Sequence, residues 1–157
     1  MDLTISQQVA AIIEDVKKNG DPAVIKYVKK FDGLSFASVK QMLIGKKQTD
    51  CAAKNIENNL KKSIQASFKN IRAFHKKEYL NIKKQWFISD KVKTVGQMYN
   101  PVESAAIYVP GGKFSYPSSV LMNAIPAKVA GVKRIVMITP PKKMTNEVLY
   151  AASLCGI

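Results

Sequence analysis

The stretch Ala105–Gly131, AAIYVPGGKFSYPSSVLMNAIPAKVAG, constrains this chain more than any other. Ala105-Ala106-Ile107-Tyr108-Val109 is uncharged and rich in strand-favouring residues, which predicts a buried strand. Pro110-Gly111-Gly112 stops it, because proline has no N–H for a sheet ladder and glycine permits close backbone approach. Ser118 and Ser119 are placed to cap a helix whose apolar residues Val120, Leu121, Ala124, Ile125 and Val129 follow at helical spacing. Gly131 stands where a C-terminal glycine would end that helix. Strand, glycine turn and capped helix together aim backbone N–H groups at a ligand, often a phosphate. The pattern is not G-x-G-x-x-G, so the dinucleotide fingerprint of a standard Rossmann site is not inferred.

The run Arg134–Pro140, RIVMITP, predicts a second buried strand. Strand, helix and strand then make a βαβ unit, expected to cross over right-handed. A further helix is predicted over 145–155, with Val148, Leu149, Ala152 and Leu154 or Cys155 turned to the core.

Upstream, the chain reads as helical. Ser6–Asn19 places Val9, Ile12, Ile13 and Val16 on one face, and Gly20 stops it. Asp21-Pro22 restarts as a capping aspartate before a first-turn proline, and Val24, Tyr27, Val28 and Phe31 give the next helix its apolar face. Val39–Ile44 is a candidate short strand. Thr49-Asp50 is read as the cap of a third helix. A long fourth helix over about 59–78 carries Ile64, Phe68, Ile71 and either Phe74 or His75 inward. Trp86–Ile88 and Val92–Tyr99 predict a β-ribbon turning at Ser89-Asp90. The fold class is therefore α/β: a helical region over 1–80, then an incomplete Rossmann-like α/β layer over 81–157, expected to form one structural unit.

The formal net charge of +14 raises a nucleic-acid reading, since clustered cations bind phosphates through counterion release. Only Arg72 and Arg134 among the 25 cations are arginine, the residue that base-edge recognition leans on. The lysines are also spread along the chain, so a solvated basic surface is expected and no specific nucleic-acid partner. No apolar run approaches the roughly 20 residues of a membrane span. Met1-Asp2-Leu3-Thr4 shows neither the charged nor the apolar part of a secretory signal, and a cytoplasmic location follows as the expectation. Cys51 and Cys155 are read as plain thiols. His75 is the lone histidine, so the sequence contains no His-based metal cluster. At the end of an apolar helix it reads as a packing or capping residue.

Several of these segments resemble the histidinol dehydrogenase family. Tyr108-Val109-Pro110-Gly111-Gly112 and Ser118–Ala124 match its central motif with little departure. The runs VKKNGDPAVIKYVKKFDG and Asn70–His75 are similar to its N-terminal helices, and the run from Gly96 to Pro110 is similar to its approach to the motif. The resemblance covers essentially the whole chain but only the first third or so of the family protein. It implies an intertwined homodimer that uses two NAD and one zinc to oxidise L-histidinol through the aldehyde to L-histidine. It also implies that the zinc ligands and the Glu-His acid–base pair lie beyond Ile157, so no catalytic or metal residue is assigned here.

Tyr108 is the position that the resemblance places at NAD, while Gly111 and Gly112 would let the cofactor approach the backbone. The chain is thus expected to be an N-terminal fragment of the enzyme, inactive alone. Its partners would be a second copy or a complementary C-terminal chain. Two other readings stand beside this one: a non-catalytic oligomerisation or binding module left from a truncated gene, and, more weakly, a basic polyanion-binding protein.

Overall fold

The computed structural model describes residues 3–82, 84–111, 116–141 and 144–157. Gly112 lies outside them. The chain divides into two compact units, Met1–Gly45 and Lys46–Ile157.

The first unit pairs helices α1 (Leu3–Asn19) and α2 (Asp21–Asp32). Gly20 separates them at φ 59, a conformation open mainly to glycine, and it is the N-cap of α2. Asp21 and Pro22 therefore occupy the first turn, and Asp21 is not the cap. Ile12 and Val16 are half-buried, while Val9 and Ile13 remain exposed. Asp15 ties the pair together: its carboxylate accepts from Lys26 Nζ at 2.6 Å, Tyr27 Oη at 2.8 Å and Asn19 Nδ2 at 2.6 Å. Val39–Ile44, a candidate strand in the sequence, instead contains a 3₁₀ turn over Val39–Met42. Gln41 N–H donates to the Ser38 carbonyl and Gln41 Oε1 accepts from Ala37 N–H, closing the segment on itself without a partner strand.

The second unit holds α3 (Lys46–Lys54), α4 (Asn58–Asn81), β1 (Gln85–Ser89), β2 (Thr94–Met98), β3 (Ser104–Tyr108), α5 (Pro117–Ala130), β4 (Arg134–Ile138) and α6 (Asn146–Cys155). The composition change near residue 80 falls inside it, because α3 and α4 pack against α6 and α5. Its core joins Ile64 of α4, Ile107 and Val109, Val120, Leu121, Ala124 and Ile125 of α5, and Val148, Tyr150, Ala151, Ala152 and Cys155 of α6. Tyr150 brings a polar atom into this core, and Gln65 Nε2 donates to its hydroxyl at 2.7 Å. Of the two alternatives on α4, His75 turns inward and Phe74 is exposed.

Thr49 is not a cap. It sits inside α3, buried, with its hydroxyl donating to the Lys46 carbonyl at 2.9 Å. The β1–β2 ribbon is antiparallel, pairing Phe87 with Gly96, and is exposed along its whole length. The β3–β4 pair is parallel, in register from Ser104↔Arg134 to Tyr108↔Ile138. It is the expected βαβ unit.

Candidate functional site

The candidate site forms where β3 runs out. Parallel strands alternate their side chains across the sheet. Ile107 is buried and Ile135 and Met137 are half-buried against the helices, which leaves Ala106, Tyr108, Val136 and Ile138 on the open face. Tyr108 is 62% exposed there, beside Ile138 at 55%. The pairing continues one step past the strand, where Val109 N–H donates to the Ile138 carbonyl at 2.9 Å and the Val109 side chain returns to the core. That anchor fixes the direction in which Pro110 and Gly111 leave the sheet. The carboxyl end of a parallel sheet is where open α/β folds take ligands.

Tyr108 thus offers an exposed aromatic ring with a hydroxyl, and Gly111 an exposed backbone immediately after it. Gly112, the third expected contact, falls outside the described residues. A tyrosine in this position can cover an apolar ring and hydrogen-bond a polar ligand atom. Ile138, its register partner, extends the apolar platform. Sequence reading missed it, because strand register between segments this far apart is set only by the crossover.

The start of α5 differs from the sequence expectation. Tyr116 is the N-cap, without a side-chain cap bond, and the helix opens at Pro117. Ser118 and Ser119 are in the first turn, not capping it. Proline suits a first helical position because the N–H it lacks would have no intrahelical partner there. The result is a thinner anion site than the sequence promised: Pro117 has no N–H, and Ser119 N–H is already committed to the Tyr116 carbonyl at 3.1 Å. At its other end α5 closes as expected on Gly131, whose φ of 100 lets its N–H reach the Ala127 and Lys128 carbonyls.

A zinc site does not assemble from these residues. His75 Nδ1 lies 2.8 Å from Glu78 Oε2, one turn along α4. Among the described residues, no three His, Cys, Asp or Glu side chains converge. Cys155 is buried in the core, where loss of solvent pushes its thiol up to about 11. It is not a thiolate ligand in waiting. No helix among the described residues is long and apolar enough to cross a membrane.

Comparison with known proteins places this geometry. The sequence profile of the histidinol dehydrogenase family matches residues 2–157. Histidinol dehydrogenase of Carboxydothermus hydrogenoformans is 40% identical over 156 residues, a match covering 98% of this chain and 36% of that protein. The Cupriavidus pinatubonensis histidinol dehydrogenase is 41% identical over 160 residues, covering 99% of this chain and 36% of the relative. The crystal structure of histidinol dehydrogenase from Elizabethkingia anophelis superposes with a TM-score of 0.82 at 30% identity, over 98% of this chain and 35% of that one. The chain therefore spans about a third of the length of the relatives it matches.

Proposed function

The chain belongs to the histidinol dehydrogenase family, and on that premise we propose that it supplies the N-terminal third of an NAD-dependent, zinc-containing enzyme oxidising L-histidinol to L-histidine in the cytoplasm. The observation that carries this reading is one of extent: end-to-end similarity to relatives of which only 36% is covered. The chain's part is to present Tyr108, Gly111 and Gly112 to the cofactor at the carboxyl end of β3. NAD, when bound, accepts hydride. The residues that hold zinc and move protons come from the remainder of the family sequence, joined to this one or supplied as a second chain. Alone, the chain is inactive.

A single aromatic face and a few backbone donors fall far short of a closed dinucleotide pocket, which buries most of its ligand. NAD affinity of the isolated chain is therefore expected to be no better than about millimolar, equivalent to roughly 4 kcal/mol. Calorimetric titration with NAD, with Tyr108→Ala as the control, tests this. Micromolar binding untouched by the substitution would remove the site assignment.

A second reading, a non-catalytic self-associating module, is favoured by the apolar side chains left open on the ribbon. Phe87 is 52% exposed, Ile88 65%, Val95 53% and Met98 58%. Light scattering on the purified chain separates a homo-oligomer from a monomer.

A further inference from the structure

Apart from the Tyr108 platform, the second unit contains a cavity of about 730 Å³ between the C-terminal half of α4 and the C-terminal ends of α5 and α6. Phe68, Ile125 and Leu154 give it an apolar floor, and Arg72, Lys76 and Lys128 stand around it. We propose that this groove docks an acidic amphipathic helix from the part of the histidinol dehydrogenase sequence that these 157 residues do not include. The inference rests on the complementation reading above and names where the complement is held.

Position argues against a cofactor. α5 ends at Gly131 and hands over to the first residues of β4, so the groove lies at the amino end of the parallel strands. Tyr108 and Ile138 mark the opposite end, and ligands of open α/β sheets bind at the carboxyl end.

Charge identifies the occupant. Among the described residues, no Asp or Glu lines the groove. Arg72 and Lys76 project from α4 one turn apart, and neither makes a hydrogen bond or ion pair to another described residue. Like charges at that spacing repel, so the pair is left waiting for an anion. Lys128 Nζ donates to the Gly156 carbonyl at 3.3 Å and pairs with no carboxylate among the described residues. Arg72 is one of just two arginines in a lysine-rich chain, and its planar fork is the geometry that takes a carboxylate in two parallel bonds.

A small anion would satisfy these cations and leave uncovered Leu80, 77% exposed at the groove, and the open parts of the half-buried Phe68 and Leu154. A second copy of this chain would bring more positive charge, since 11 acidic residues face 25 basic ones. A helix with apolar residues on one stripe and carboxylates beside them fits both features.

The test co-expresses this whole chain, affinity-tagged, with the portion of the Carboxydothermus hydrogenoformans relative outside the matched 36%. The readout is how much of that portion is recovered in a soluble complex, followed by its dissociation constant. The double variant Arg72→Glu/Lys76→Glu is expected to lower recovery or affinity at least tenfold. Arg72→Lys should fall between it and the parent, and Lys62→Glu, on α4 away from the groove, should bind normally. Circular dichroism confirms that each variant keeps its helices.

A complex that forms and ignores the double reversal overturns the groove assignment and leaves complementation standing. No complex with the parent chain overturns both. Displacement of the partner by a mixed-sequence DNA duplex, itself lost on charge reversal, would reassign the groove to polyanions.

Discussion

Leu121 tests the packing that carries the candidate site. It is 1% exposed on α5, in the core that also holds Val120, Ala124 and Val148. Its neighbour Met122 is 53% exposed on the other side of the same helix. Leu121→Ala removes three buried carbons, worth about 0.8 kcal/mol each, or roughly 2.4 kcal/mol in transfer. A void that collapses only in part adds on the order of 1 kcal/mol, giving a loss of about 3–4 kcal/mol. Against total stabilities of roughly 5–15 kcal/mol, that is a large fraction. At about 4 °C per kcal/mol for a unit of this size, the melting temperature should fall by about 12–16 °C. Met122→Ala should stay within about 0.5 kcal/mol of the parent, as surface changes do. Urea titration followed by far-ultraviolet circular dichroism is the assay of choice, because Trp86 sits on the exposed ribbon and reports on that ribbon rather than on the core. Equal midpoints for the two variants would refute the packing argument.

Three further outcomes are expected. A Cβ on Gly96 would collide with the Trp86 carbonyl oxygen and the Phe87 ring, so Gly96→Val should unpair the ribbon at a local cost of about 1–3 kcal/mol, seen as a red shift of Trp86 emission with the main unfolding transition unmoved. Asp15, held down at about 2 chiefly by its hydrogen bond from Lys26 and then by Asn19 and Tyr27, gives the α1–α2 pair a stabilisation present above the ordinary carboxyl value of 3.8 and lost as pH falls towards 2; a carboxyl ¹³C titration by NMR with a midpoint near 3.8 would contradict this, and Asp15→Asn should abolish the acid dependence. Exposed Cys51 should react with a disulfide reagent at once while Cys155, raised to about 11 by burial, reacts only on unfolding; equal rates for both thiols would place Cys155 outside the core.

Much of the architecture was legible wherever a local rule was sufficient. The strand–turn–helix–strand order, the glycine stop at Gly131 and the inward faces of α4 and α6 follow from periodicity and backbone chemistry acting within a few residues. Boundaries failed where two local signals competed. At the start of α5, Pro117 and the two serines each mark a helix beginning, and the proline prevails because its fixed φ already suits a first helical residue. At α3 the Thr49-Asp50 pair looks like a cap, yet Thr49 is worth more buried, with its hydroxyl satisfied one turn back by Lys46. Val39–Ile44 carries strand-favouring residues but pairs with no strand among the described residues, and without a partner such a short run does not make a sheet. The Tyr108–Gly111 candidate is legible in the sequence because it is contiguous. The groove at Arg72, Lys76 and Lys128 is not, since its residues come from three helices and converge only after α4, α5 and α6 have packed together.

The two faces of the parallel pair are covered differently. All-parallel sheets are ordinarily covered on both faces, because their strands are apolar on both. Here α5 covers one face of β3 and β4, while Tyr108, Val136 and Ile138, at 62%, 41% and 55% exposure, leave the other open. Burying a side chain of this size fully contributes about 1.5–3 kcal/mol, so covering three that are about half exposed would add on the order of 3 kcal/mol. Stability of that size is available only to something that seats itself against the face that exposes Tyr108. Whatever lay over Val136 and Ile138 would then also cover Tyr108, the register partner of Ile138. On the proposed function, weak NAD binding by the isolated chain and association with a covering partner would then have a single physical origin.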